Sequence, residues 1–170
     1  MNRHQPHELW WLQAKSDHDV FIRLRRWGVK PCHQLHYLQM ATEKLGKAYF
    51  WRSGTPPRRT HAAFVRFMRF LGHIRGAERE RAASVLAFSR YQDLRSWINS
   101  VLPLAYELQR LAPDLAHDGP NPEYPWPPSA PRYVPAEFEF DVWKQLTETG
   151  KGRQLVQVID ITIRRFAELP

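Results

Sequence analysis

Basic side chains cluster around a turn in the first half of the chain, between Arg52 and Arg69. A guanidinium group binds phosphate oxygens through paired N–H donors, and a helix N-terminus adds a positive partial charge. These residue types predict a phosphate-binding patch, although a merely solvated turn explains the same pattern equally well. The predicted patch consists of Arg52, Arg58, Arg59, His61 and Arg69, with Arg66 beside them.

Arginine and histidine also recur in pairs that could act on a phosphodiester. An imidazole can move a proton near neutral pH, while an arginine holds the phosphate. Arg66, Arg69 and His73 lie at spacings of three and four and therefore share one helix face. Because the chain contains eight histidines and many arginines, the number of such pairs is close to what chance produces. The pairs with six intervening residues are Arg26/His33, Arg66/His73 and Arg110/His117.

The elements that must position these residues are helices. Apolar residues recur at alternating spacings of three and four, and no strand-like alternation stands out. We predict an all-α fold, an up-and-down helical bundle of about five helices. The first two helices, from Pro6 to near Gly28 and from Pro31 to about Ser53, form an antiparallel hairpin. A short third helix follows a Thr60 cap and ends near Gly76.

The second half of the chain is dominated by a proline-rich segment. Residues 77–112 have a helical pattern, with a predicted break where Ser100 caps a new helix ahead of Pro103. Residues 113–136 are proline-rich but also hold aromatics, which favours a long ordered loop packed on the bundle rather than a flexible linker. The last helix is predicted from about Gly152. The whole chain, residues 1–170, is interpreted as a single domain.

Composition narrows the class of protein. The net charge of +8 and the excess of arginine favour an acidic partner such as nucleic acid. The single cysteine, Cys32, excludes an intramolecular disulfide and indicates a reducing compartment. The sequence contains no membrane-length apolar run, no glycine-rich phosphate loop and no metal-ligand spacing. We therefore expect a cytoplasmic protein with no membrane segment, no metal and no cofactor.

Charged residues inside the predicted helices need partners. Asp17 falls within the apolar stripe of the first helix, so Lys44, Gln39 or an arginine should neutralise it. Glu43 and Lys47 are placed for a surface salt bridge one helical turn apart. For His61, a role in fixing the loop by hydrogen bonding is favoured over a role in phosphate binding.

Taken together, these residues resemble the HEPN (higher eukaryotes and prokaryotes nucleotide-binding) domain family, a compact helical bundle. The resemblance covers most of the chain and is most specific in the second helix. It rests on the segments Ala14-Lys15-Ser16-Asp17, Cys32-His33-Gln34, Ala41, Glu43-Lys44, Lys47-Ala48, Gly54, Pro56, Thr60-His61 and Glu123-Tyr124-Pro125.

The resemblance implies a homodimer with a cleft between protomers. It also implies a role in RNA cleavage, or in pairing with a nucleotidyltransferase-type protein in a toxin–antitoxin or defence context. Ribonuclease members carry an arginine followed at a short interval by a histidine, which makes Arg110/His117 the first candidate pair and Arg66/His73 the second. Family nucleases have a polar residue after that arginine, whereas Leu111 follows Arg110 here. Glu123 likewise replaces an arginine common in relatives.

Three interpretations follow. The first is a non-catalytic HEPN-like dimeric module that binds nucleotide or RNA phosphate and a protein partner. An alternative is a metal-independent endoribonuclease that uses one of the Arg/His pairs. The second alternative is a structural dimeric scaffold without a specific ligand.

Overall fold

Two long helices at the start of the chain form the frame of the fold. The computed structural model describes residues 4–55 and 61–170. Pro6 and Pro31 each occupy the first turn of a helix, where a missing N–H costs nothing. Gly28 follows the first helix with φ +63°, a conformation that favours glycine. The two helices pack extensively against each other, which confirms the predicted hairpin.

Eight α-helices occur in the described part of the chain, which contains no strand, so the all-α helical bundle is confirmed. The helices are α1 (Pro6–Arg26), α2 (Pro31–Arg52), α3 (Ala63–Leu71), α4 (Glu78–Val85), α5 (Tyr91–Gln109), α6 (Pro113–Ala116), α7 (Asp141–Glu148) and α8 (Gly150–Arg164). Single 3₁₀ turns lie at Pro135–Glu137 and Phe166–Glu168.

Helix α2 is the central element, because α1, α3 and α5 all pack against it. The start of α3 comes especially close: a Cβ on Gly46 would lie 2.6 Å from the carbonyl oxygen of Ala63. The absence of a side chain at Gly46 therefore permits the contact between α2 and the chain entering α3. Gln109 of α5 stabilises the same helix start by accepting a hydrogen bond from the backbone N–H of Val65 (3.0 Å).

The predicted break at Ser100–Pro103 is wrong, since α5 continues through both residues. Ser100 donates its hydroxyl to the carbonyl of Trp97 and caps nothing. Pro103 removes one helical hydrogen bond, but its acceptor belongs to Asn99, which lies on the exposed side of the helix. The buried stripe of α5 outweighs that cost. The chain breaks earlier, at residues 86–90, where Ala87 has φ +63°.

Other boundaries also differ from the prediction. Helix α3 begins at Ala63 with Ala62 at its N-cap position, and Thr60 lies outside the described residues. Helix α7 was not predicted. The last helix begins at Gly150, where the Thr149 hydroxyl accepts a hydrogen bond from the backbone N–H of Gly152 (3.0 Å).

The proline-rich segment is ordered on the bundle, although it opens with one helical turn, α6, that was not predicted. Trp126 is buried in the core at 3% exposure, and its backbone pairs with that of Tyr133. Lys30 at the start of α2 donates a hydrogen bond to the carbonyl of Ala136 (2.9 Å). Within residues 4–55 and 61–170, no helix combines the length and apolar character that crossing a bilayer requires.

Candidate functional site

His61 lies between two carboxylates that come from distant parts of the chain. Its Nδ1 is 2.7 Å from Oε2 of Glu43 on α2, and its Nε2 is 2.9 Å from Oδ2 of Asp114 on α6. An ionised carboxylate only accepts hydrogen bonds, so both ring nitrogens must donate, which requires the positively charged imidazolium. Both donors are engaged, which supports the predicted loop-fixing role of His61 over phosphate binding.

The directions in which the pKa values of His61 and Glu43 shift agree with this geometry. Partial burial disfavours the charged form of His61, but hydrogen bonds and charge from Glu43 and Asp114 outweigh burial and raise its pKa. Burial likewise acts to raise the pKa of Glu43, yet the ammonium of Lys47 and the imidazolium of His61 hold it below its usual range. The surroundings therefore favour the ionised form of both His61 and Glu43.

Further charged groups continue this network along α2. Lys47 hydrogen-bonds Glu43, as predicted, but both side chains are largely buried, so this is not a surface pair. Lys44 pairs with Asp17 on α1, which confirms that Asp17 needs a partner, and Gln13 donates a second hydrogen bond to it (3.0 Å). Removing one member of such a pair would leave a buried charge without compensation.

An open groove lies where the end of α2 meets α3. Its volume is about 360 Å³, and none of its described lining residues is acidic. We call it the basic groove, and it is lined by Phe50, Ser53, Thr55, Arg66, Arg69, Phe70 and His73. The guanidinium of Arg66 lies 4.3 Å from the centre of the Phe50 ring, a cation–π contact that fixes its position in the groove.

His73 at the end of the basic groove has a defined tautomer. Its Nδ1 is 2.7 Å from the backbone carbonyl oxygen of Arg69. A carbonyl only accepts, so Nδ1 carries the hydrogen and, in the neutral ring, Nε2 keeps a lone pair. The structure therefore brings together Arg66, Arg69 and His73 with a nitrogen able to accept a proton.

The predicted phosphate patch is not assembled as one site. Arg52 lies on another side of α2 and donates hydrogen bonds to the carbonyls of Phe166, Leu169 and Pro170, which anchors the final turn. Arg69 lies in the basic groove instead. Arg58 and Arg59 lie outside the described residues.

No direct bond joins the candidate pair Arg110/His117 in the described part of the chain. Arg110 lines a separate cavity of about 260 Å³ between α5 and α7, where Glu107 and Asp141 place acidic groups nearby. His117 is exposed, and no hydrogen bond or ion pair to Arg110 exists in the described part of the chain. Between Arg26 and His33, both exposed, there is likewise none among the described residues.

Sequence reasoning missed two features of these sites. Asp114 reaches His61 across 53 positions of sequence, and no local pattern reports such a contact. Phe70 lies in the basic groove with 44% of its surface exposed, and the sequence pattern assigned it no role. Glu123, which replaces the arginine of the family resemblance, lies 3.8 Å from Nδ1 of His36 on α2.

The fold and these contacts define a helical bundle with a basic groove beside a buried charged network. Comparison with protein-family models, curated proteins and solved structures finds no match for the chain.

Proposed function

We propose that the chain is a HEPN-like helical module that binds the phosphate groups of RNA or nucleotides in the basic groove. The observation that carries this proposal is the convergence of Arg66, Arg69 and His73 on one open groove whose described lining contains no carboxylate. In the sequence, Arg58 and Arg59 follow Thr55, another groove residue, and add positive charge. The net charge of +8 favours the same class of ligand.

Salt dependence of RNA binding tests the proposal. Contacts between arginine and phosphate release counterions, so affinity should fall steeply as salt rises. Arg66→Gln should weaken binding of a labelled single-stranded RNA and make the slope of log K against log salt shallower by about 0.7. Fluorescence anisotropy over a salt series measures both quantities.

Arg95→Gln is the matched control, because Arg95 is exposed on α5, lies outside the groove and carries the same charge. This variant should change affinity much less than Arg66→Gln. Equal losses of affinity in the two variants would mean that RNA binding depends only on the net charge of the protein. No salt-dependent binding of RNA or nucleotide would leave the structural scaffold as the better interpretation.

We propose in addition that the module forms a homodimer and associates with a nucleotidyltransferase-type protein in a toxin–antitoxin or defence context in the cytoplasm. The support for these partners is the resemblance carried by Glu43, Lys44 and Lys47 of α2. Light scattering of the purified chain tests the homodimer, and co-purification with a nucleotidyltransferase encoded by a neighbouring gene tests the partner.

A metal-independent endoribonuclease is the second candidate function, favoured by the tautomer of His73. Nε2 of His73 would accept the proton of an RNA 2′-hydroxyl while Arg66 holds the phosphate that the 2′-oxygen attacks. The bond from phosphorus to the 5′-oxygen then breaks, which leaves a 2′,3′-cyclic phosphate, and the leaving 5′-oxygen takes a proton from water. If so, RNA cleavage in the presence of chelator should fall by about a hundredfold or more in His73→Ala. His117→Ala should retain the activity, and loss of cleavage in His117→Ala instead would assign the chemistry to the Arg110 pair.

A further inference from the structure

We infer that the basic groove takes an unpaired RNA strand and that Phe70 is the residue on which one of its bases stacks. This inference rests on the proposed function and names its substrate class. Arg66, Phe70 and His73 follow one another at spacings of four and three, so they share one face of α3 and its C-terminal end. An aromatic ring beside the guanidinium groups of Arg66 and Arg69 matches a strand whose bases alternate with phosphates.

The exposure of Phe70 contrasts with the other aromatics of α3. Phe64 and Phe67 are each 1% exposed and fill the core, whereas Phe70 keeps 44% of its surface accessible. Its ring also packs on the buried ring of Tyr49, with centroids 5.2 Å apart. One part of the ring is thus fixed by the core while another part is open, so a base would meet a preorganised surface.

The size of the groove favours an unpaired strand over a duplex. A volume of about 360 Å³ is of the size of pockets that hold one small ligand. In a duplex, the base faces are covered by their neighbours and only the phosphates would reach the groove. A stacking residue therefore adds affinity for single-stranded RNA and none for paired RNA.

Three probes separate the contributions of base and phosphate. They are a labelled single-stranded RNA, the same strand annealed to its complement, and inorganic polyphosphate, which has negative charge but no bases. Phe70→Leu should weaken binding of the single strand about fivefold or more and leave polyphosphate binding unchanged. Arg66→Gln should weaken binding of both. The wild-type protein should prefer the single strand to the duplex.

Two further variants control for folding and for general loss of aromatic surface. Phe70→Trp keeps a stacking ring and should retain or increase single-strand affinity. Tyr124→Leu removes an aromatic that is 59% exposed but lies outside the groove, and it should leave binding unchanged.

The outcomes distinguish the inference from the proposed function. The stacking role is overturned if Phe70→Leu leaves the affinity for the single strand unchanged, or if the wild-type protein prefers the duplex. The proposed phosphate site would still stand in either case if polyphosphate binding depends on salt and on Arg66. Failure of RNA and polyphosphate alike to bind overturns both.

Discussion

At the scale of single residues, His61 links two carboxylates that the sequence separates widely. It holds the chain entering α3 against Glu43 on α2 and at the same time contacts Asp114 on α6. Neutral histidine has only one N–H, so deprotonation must release one of the two contacts. Because Glu43 is buried and also bound to Lys47, the exposed Asp114 is the contact that should be lost.

The stability contributed by His61 should therefore depend on pH. A raised histidine pKa contributes stability that is fully present below its ordinary value of 6.5 and is lost as pH rises through the folded-state value. The lowered pKa of Glu43 acts in the opposite direction: its contribution is present above 4.5 and is lost as pH falls through its folded-state value. The joint contribution should be largest between these two ordinary values.

We expect His61→Gln to lower the free energy of unfolding by about 1 kcal/mol within that window, and by less at higher pH. Urea unfolding followed by circular dichroism across a pH series measures this difference. His33→Gln is the control, since His33 is exposed on α2 and should change stability little at any pH. A destabilisation that stays constant from mildly acidic to alkaline pH would contradict an ionised contact of His61 with Glu43 and Asp114.

At the scale of elements, helices whose ends are marked by proline or glycine could be predicted from the sequence. The limits of α1 and α2 follow from Pro6, Pro31 and the glycines that end each helix, all visible in the sequence. The break expected at Pro103 did not occur, because burial of an entire helix face outweighs one missing hydrogen bond. Ala87 carries no sequence signal for the left-handed conformation that separates α4 from α5.

The contacts of the candidate site were also only partly predictable from the sequence. The Glu43–Lys47 pair within α2 could be predicted from helical spacing, and so could the position of His73, just beyond the end of α3, on the same side as Arg66. Apart from the pairing of Asp17 on α1 with Lys44 on α2, contacts between elements could not be predicted. The distance from His61 to Asp114 depends on how the chain returns after α5, and the position of Arg52 depends on where the final turn docks.

At the scale of the whole molecule, the proline-rich segment forms part of the hydrophobic core of the bundle. It joins the end of α5 to α7, and Trp126 inserts into the same core as the long helices. The rings of Tyr133, Phe138 and Phe140 surround Trp126 with centroids 5.0 to 6.2 Å away. The segment therefore contributes to the core although it is not helical, and its removal should affect the cooperative unfolding of all helices.

Trp126→Ala tests this integration. Removing a buried tryptophan leaves a cavity and should lower the free energy of unfolding by about 3–5 kcal/mol. Loss of helical circular dichroism in urea should shift to lower denaturant in a single transition, because the segment and the helices share one core. Tyr124→Ala, in the same segment but 59% exposed, should change stability by less than about 0.5 kcal/mol. An unshifted helical transition in Trp126→Ala would show that the segment packs on the bundle without supporting it.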